Sequence, residues 1–313
     1  TLLDRVLADP TPKEIGDVLS WLRKRDLTPR DVTIHDTLSL DSSRKLYVLS
    51  HTVDGNRHYG AVIIPSTTIE RLPVIIFATG GDGMHAQFDL TQDFNHTAVQ
   101  YPGFLGDPLD KEFIGVIPSF RGQQLIIGDK KYQSRGNVSD AFDGATSDAL
   151  ALLNVALGAF SQADEDRIAI YGGSRGGTVA LLAAARDKRI SQAVVVATPT
   201  DMKALYRLYP DQFRLLFFNR LLSGEITEQE ARRQFIAISP IYFVDQLPGV
   251  QLHHDRSDPF VPVSFAEKLV GKAKEKSIDI EYYYYNEGIH GFWEDPMYWE
   301  RVQAFLQKLT EKR

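Results

Sequence analysis

The pattern that most constrains this chain is a series of short, solidly apolar runs separated by loops and helix-like stretches. They fall at residues 74–78, 113–117, 168–171, 193–197 and 250–253, with a more alternating last run at 278–285. Runs without polar alternation suit strands covered on both faces. Helical spacing of apolar residues fills the intervals at 147–160, 175–186, 263–276 and 296–312. Ahead of these lie β-rich segments at 32–34, 45–52 and 59–64, and Asp54-Gly55 between two of them marks a hairpin, because both residues tolerate positive φ. The expectation is an α/β fold: a mostly parallel central sheet with helices on both faces, entered through antiparallel strands.

Residues 1–30 predict an N-terminal helical arm. Thr11-Pro12-Lys13-Glu14 has the form of a capping box with proline in the first turn, and Ile15, Val18, Leu19 and Leu22 follow as one apolar stripe. Residues 31–313 then form one large domain. Two long connections interrupt it, at 79–112 and 199–247, and the second carries another capping box at Thr227-Glu228-Gln229-Glu230. Long insertions in a compact domain are usually site walls or lids, so 199–247 is expected to be a lid of short helices.

Composition narrows the function classes. The 313 residues are 43% hydrophobic and 24% charged, enough apolar material for a large core. A formal net charge of -6 gives no electrostatic reason to expect nucleic acid or an anionic membrane as partner. The cluster Arg23-Lys24-Arg25 is expected on a solvated helix face. There is no cysteine, which excludes disulfides, thiolate zinc sites and cysteine nucleophiles. No metal or organic cofactor is implied, since neither Asp82-Gly83-Met84-His85 nor His253-His254-Asp255 has an established ligand spacing. The longest uncharged apolar stretch, 149–163, is too short to span a bilayer. The chain begins at Thr1 rather than methionine, which favours a removed leader and a soluble, extracytoplasmic protein.

The chemistry concentrates at Tyr171-Gly172-Gly173-Ser174-Arg175-Gly176-Gly177, between an apolar run and a helical stretch. A serine on a sharp strand-to-helix turn exposes its hydroxyl, and flanking glycines let neighbouring backbone approach. No Gly-Lys-Ser/Thr follows, so a Walker-type phosphate loop is excluded. A serine hydroxyl needs a base and a group that orients it, and in folds with this elbow they follow in the order Ser, Asp or Glu, His. His290, in Gly288-Ile289-His290-Gly291-Phe292, comes after the last strand run and is the candidate base. Asp258 is the candidate acid because it begins the turn into the next helix, with Asp255 as the competing carboxylate. The amide of Arg175 and one from the loop Phe77-Ala78-Thr79-Gly80-Gly81-Asp82-Gly83 would bind an oxyanion. Gly81 is preferred as second donor, with Gly80 and Asp82 as alternatives.

Taken together, this elbow, the Ser239-Pro240 pair, Asp258-x-x-Val261-Pro262 and Gly288-x-His290-Gly291-Phe292 resemble the catalytic domain of the prolyl oligopeptidase family. Pro118-Ser119-Phe120-Arg121-Gly122 also resembles that family's Arg-Gly turn. The resemblance spans roughly 72–312 and implies an α/β-hydrolase domain whose Ser-Asp-His triad, on Ser174, Asp258 and His290, cleaves esters or peptides. Three features depart from the family pattern: residues 1–71 leave no room for the family's β-propeller, residues 77–82 offer no counterpart to the tyrosine that supplies an oxyanion hydroxyl in some members, and Asp255 stands where glycine is usual. Propeller-less relatives include acyl esterases, and the open site of a chain like this favours ester over peptide.

Overall fold

The computed structural model describes residues 1–67, 71–81, 87–89, 105–106, 108–292 and 295–311, with 87–89, 215 and 216 described by backbone alone. In chain order the first strands are β1 (Arg30–Ser39), β2 (Arg44–Val53), β3 (Asn56–Pro65), β4 (Leu72–Ala78), β5 (Gln87–Asp89) and β6 (Ile114–Ser119). They are followed by β7 (Gln124–Ile127), β8 (Lys130–Gln133), β9 (Ala163–Gly173), β10 (Ile190–Val196), β11 (Gly249–Asp255) and β12 (Ile280–Tyr285). Nine of them form one sheet in the order β1-β2-β3-β6-β4-β9-β10-β11-β12. The pairs from β1 through β6 are antiparallel, and those from β6 to β12 are parallel.

The solid apolar runs become strands covered on both sides. Every residue of β4 and β6 is buried. Period-2 alternation then sorts them into two cores: Val74, Ile76, Ile168, Ile170 and Val195 face one, while Ile75, Phe77, Ala169, Tyr171 and Val194 face the other. The Asp54-Gly55 hairpin has the expected positive φ at both residues, 51° and 70°. A separate small sheet, β5-β7-β8, has no counterpart in the expected elements. Its strands are three or four residues long, too short to leave a period in the sequence.

Helices α1 (Leu2–Val6) and α2 (Pro12–Arg23) form the arm. Thr11 caps α2 with the reciprocal Thr11–Glu14 bonds of a capping box. Val6, Leu7, Val18, Leu19 and Leu22 are buried in the same core as the sheet. Of the cluster expected on a solvated face, Arg23 and Lys24 are exposed and Arg25 is half-buried, and both arginines also bind the body of the domain. Arg23 donates to the carbonyls of Ala185 (2.8 Å) and Arg186 (3.3 Å), and Arg25 pairs with Asp143 at 2.8 Å. A helix C-terminus leaves carbonyls without intrahelical donors, and a guanidinium suits them.

After α3 (Leu109–Glu112), helix α4 (Asp143–Ala159) begins four residues before the expected start. Its first turn is Asp-Gly-Ala-Thr, a poor helix former in isolation. Tertiary charge supports it: Asp143 is paired with both Arg25 and Arg186. Helix α5 (Arg175–Arg186) follows β9 directly. The 199–247 connection contains α6 (Met202–Leu208), α7 (Pro210–Phe213), a π turn (Arg214–Phe218), α8 (Asn219–Leu222) and α9 (Glu228–Ala237). Arg232 of α9 donates to the carbonyls of Val6 and Ala8 and to Glu14 Oε1, at 3.0, 2.8 and 2.6 Å, so the arm clasps this connection. Helices α10 (Ser264–Glu275) and α11 (Pro296–Thr310) complete the layers. Among the described residues, no helix is long and apolar enough to cross a membrane.

Candidate active site

Parallel pairing brings the C-terminal ends of β9, β10, β11 and β12 to one edge of the sheet, where loops of such folds build their sites. Ser174 sits at the end of β9, in the single-residue turn into α5. Its backbone has φ 53° and ψ −124°, a conformation costly for a residue with a Cβ. The turn is fixed by its surroundings. The Ser174 amide donates to Val196 O at 2.7 Å. A Cβ at Gly172 would lie 2.2 Å from Gly176 O, one at Gly176 2.0 Å from Ala78 O, and one at Gly177 1.9 Å from Thr198 Oγ1. Three glycines are therefore required by close approach of backbone and side chain, the steric demand anticipated from the sequence.

Arg175 opens α5 and is buried. Its guanidinium donates to Gly80 O at 2.9 Å and lies over the Phe120 ring, 5.2 Å from the centroid. The side chain thus fastens the elbow to the loop after β4. Gly81 in that loop has φ 98°, a left-handed conformation that favours glycine. Asp82, Gly83 and His85 lie outside the described residues, as does His96. Phe120 belongs to the Arg-Gly turn, where Arg121 pairs with Asp148 (2.8 Å) and Asp140 (2.9 Å). Gly122 there has φ 74°, and a Cβ on it would meet Val138 N at 2.7 Å.

Of the two carboxylates weighed for the acid, the one that meets the histidine is Asp258: its Oδ2 is 2.8 Å from His290 Nδ1. Its Oδ1 accepts the amides of Phe260 (2.8 Å) and Val261 (2.9 Å). Burial pushes the Asp258 carboxyl up, but the His290 bond and these two amides outweigh it and hold the group below the usual carboxylate range. An ionised carboxylate only accepts, so Nδ1 carries the proton and Nε2 is left as the basic nitrogen. The imidazole remains partly exposed, while the Asp258 side chain is fully buried.

Asp255 goes elsewhere, accepting the amides of Ser257 (2.7 Å), Glu287 (2.6 Å) and Gly288 (3.1 Å). His253 is buried between Tyr285 Oη (2.8 Å) and Gln251 Oε1 (3.0 Å). His254 Nε2 donates to Val261 O at 2.8 Å and sits 3.7 Å from Asp258 Oδ2, backing the acid turn. Burial lowers the pKa of both rings. Ser239 Oγ donates to Phe235 O inside the 199–247 connection.

Three aromatic residues at this edge escaped the sequence reading as site components. Phe120 supports Arg175, as above. The Phe260 ring meets His290 edge-on, with centroids 5.3 Å apart, and is 61% exposed. Tyr209, at the end of α6, donates its hydroxyl to Phe260 O at 2.7 Å and so ties the 199–247 connection to the acid turn. Phe120 could have been flagged from the Arg-Gly string that contains it. Tyr209 carries no sequence signal, since only the tertiary structure brings it to Phe260.

Comparison with known proteins agrees with this architecture. The structure resembles acetyl xylan esterase 1 from Thermoanaerobacterium sp. JW/SL YS485, with TM-score 0.69, 18% identity, and 96% of this chain and 95% of that chain covered. An acetyl xylan esterase from Paenibacillus sp. R4 gives TM-score 0.65 at 18% identity, with the same coverage. The Pyrococcus horikoshii acylaminoacyl peptidase gives TM-score 0.61 at 15% identity, covering 90% of this chain but 50% of that one. A comparison with curated protein sequences finds no match. The sequence model of the prolyl oligopeptidase family matches residues 108–313, more than half of the chain, including the elbow and both loops that carry Asp258 and His290. The chain accordingly belongs to the prolyl oligopeptidase family, as a serine hydrolase with the α/β-hydrolase fold.

Proposed function

We propose that this hydrolase is an esterase in which Ser174 is the nucleophile, His290 the general base and Asp258 its orienting acid. Ser174 Oγ attacks the substrate carbonyl carbon as its proton passes to His290 Nε2. The tetrahedral oxyanion accepts the amides of Arg175 and Gly81. His290 then gives its proton to the leaving oxygen, the carbon–oxygen bond breaks, and an acyl-serine remains. Water attacks that ester with His290 again taking the proton, and the acid departs as Ser174 regains its hydrogen. Asp258 stays ionised throughout and stabilises the imidazolium.

The observation that carries this reading is the His290 Nδ1–Asp258 Oδ2 bond at 2.8 Å, at the same sheet edge as a serine held at φ 53°. A carboxylate, a tautomer-fixed imidazole and a strained serine are what acyl transfer needs. Residues 1–30 serve as an arm, 31–313 as the catalytic body, and the connection at 199–247 as one wall of the substrate site, which the Tyr209–Phe260 bond supports.

Two observations favour ester over peptide. The resemblance to acetyl xylan esterases extends over nearly the whole of both chains, whereas the acylaminoacyl peptidase is matched over half its length. Exposed Phe260, set against the His290 ring, and Tyr209, bonded to Phe260 O, also offer an apolar approach to the base. The reading is tested with short-chain p-nitrophenyl esters beside aminoacyl-anilides. Esters should turn over at least about tenfold faster, a difference of roughly 1.4 kcal/mol in the barrier. Strong anilide turnover with weak ester turnover would overturn the preference and leave a peptidase.

A further inference from the structure

The mechanism above leaves one fully buried carboxylate at the site unused. We propose that Asp255 is a positioning residue that sets the place of His290 by tethering the base loop to the acid turn. The inference rests on the triad reading just given.

Backbone pairing between β11 and β12 ends with Asp255 opposite Tyr285, and the Arg256 amide makes one further bond to Tyr285 O at 2.9 Å. Beyond that point the two chains diverge, one toward Asp258 and the other toward His290. The Asp255 carboxylate takes over where the ladder stops. Oδ2 accepts the Glu287 amide at 2.6 Å, and Oδ1 accepts Gly288 at 3.1 Å and Ser257 at 2.7 Å. One side chain therefore grips both loops: Ser257 adjoins the acid, and Gly288 lies two residues before the base.

Burying a carboxylate is costly unless its lone pairs are filled, and three amides fill them here. The geometry also requires a carboxylate in particular. Both oxygens must accept, because all three partners are N–H groups. Asparagine has the same shape but turns one oxygen into an N–H donor, which would face another donor. Gly288, at φ 71°, gives the base loop a turn that the tether holds in place beside the acid turn. Loosening it lets the imidazole drift from Asp258, and displacements of about 1 Å can reduce turnover by about 100-fold.

The test uses Asp255→Asn and Asp255→Ser in the full chain. Serine keeps an acceptor near the Ser257 amide but is too short to reach Glu287 and Gly288. Measured well below each variant's melting temperature, both should lose about 10- to 100-fold in kcat with KM within about twofold. The far-downfield proton resonance of the His290–Asp258 bond should weaken in parallel. A residue that only supports the fold would lower Tm and leave kcat and that resonance of the folded protein intact; this result overturns the proposal. So does kcat within twofold of the parent in both variants. Ser174→Ala is the separate control: if it retains turnover, the triad reading itself fails.

Discussion

The proposed nucleophile and the proposed base of this site are held by opposite means. Around Ser174 the restraint is steric: three glycines lie where a Cβ would come within 2.2 Å of another atom, and the strained serine has no room to relax. Around His290 the restraint is polar: Asp258 accepts two amides and the imidazole, Asp255 accepts three amides, and His254 backs the turn. The difference suits the chemistry. A nucleophile must stay at one fixed point, whereas a base must move protons between two groups and needs a charged partner beside it.

The comparison breaks first at the polar side. Asp258→Asn preserves shape but removes the acceptor that fixes the tautomer, so kcat should fall about 10⁴-fold. Its Tm should change by only a few degrees, and stopped assays with parallel melting curves separate the two effects. A variant that keeps more than a tenth of parental kcat would remove Asp258 from the mechanism.

At the steric side the reverse split is expected. Gly176→Ala places a methyl 2.0 Å from Ala78 O, a backbone atom that cannot swing aside. It should cost about 3 kcal/mol of stability and take activity down with the fold. Gly271→Ala in α10, where a Cβ meets nothing within 4 Å, is the matched control and should be neutral or slightly stabilising. Equal melting temperatures for the two variants would show that close packing does not build the elbow.

Acid sharpens the contrast between site and scaffold. Burial, with repulsion from His58, lowers the His51 pKa to about 4, against about 6.5 in an unfolded chain. Neither ring has a hydrogen-bond partner among the described residues, although His58 Nδ1 lies 3.6 Å from Asp148. Between those values the unfolded chain binds a proton that the folded one does not. The stability is therefore complete above pH 6.5, falls as pH drops toward 4, and levels off below that. The loss from His51 is roughly 2 to 3 kcal/mol, measured as the shift in denaturant midpoint from pH 7 to pH 4. His51→Phe should flatten that slope without changing kcat at pH 7, because His51 lies in β2, away from the elbow. An unchanged slope would show that the burial of this ring is not what acid releases.

Much of this protein was legible in its sequence because the responsible physics is local. The solid apolar runs became strands covered on both faces, Asp54-Gly55 supplied its two positive φ values, and Thr11 and Thr227 each formed a reciprocal cap with a glutamate three residues on. The glycines around Ser174 announced a sharp turn because little else fits there. What lay beyond reach depends on contacts between distant segments. Strand β6 inserts between β3 and β4, α4 gains a first turn because Arg25 and Arg186 meet Asp143, and Tyr209 arrives at Phe260 across 51 residues.

By itself, then, the sequence determined which segments are strands, where the sharp bend falls and which residue types could do chemistry there, since backbone sterics and side-chain periodicity act over a few residues. Only the tertiary structure gave two aspartates three positions apart their different surroundings. An imidazole stands beside one carboxylate and three amides beside the other, and the loop after β12 supplies the imidazole and two of those amides from more than 30 residues away.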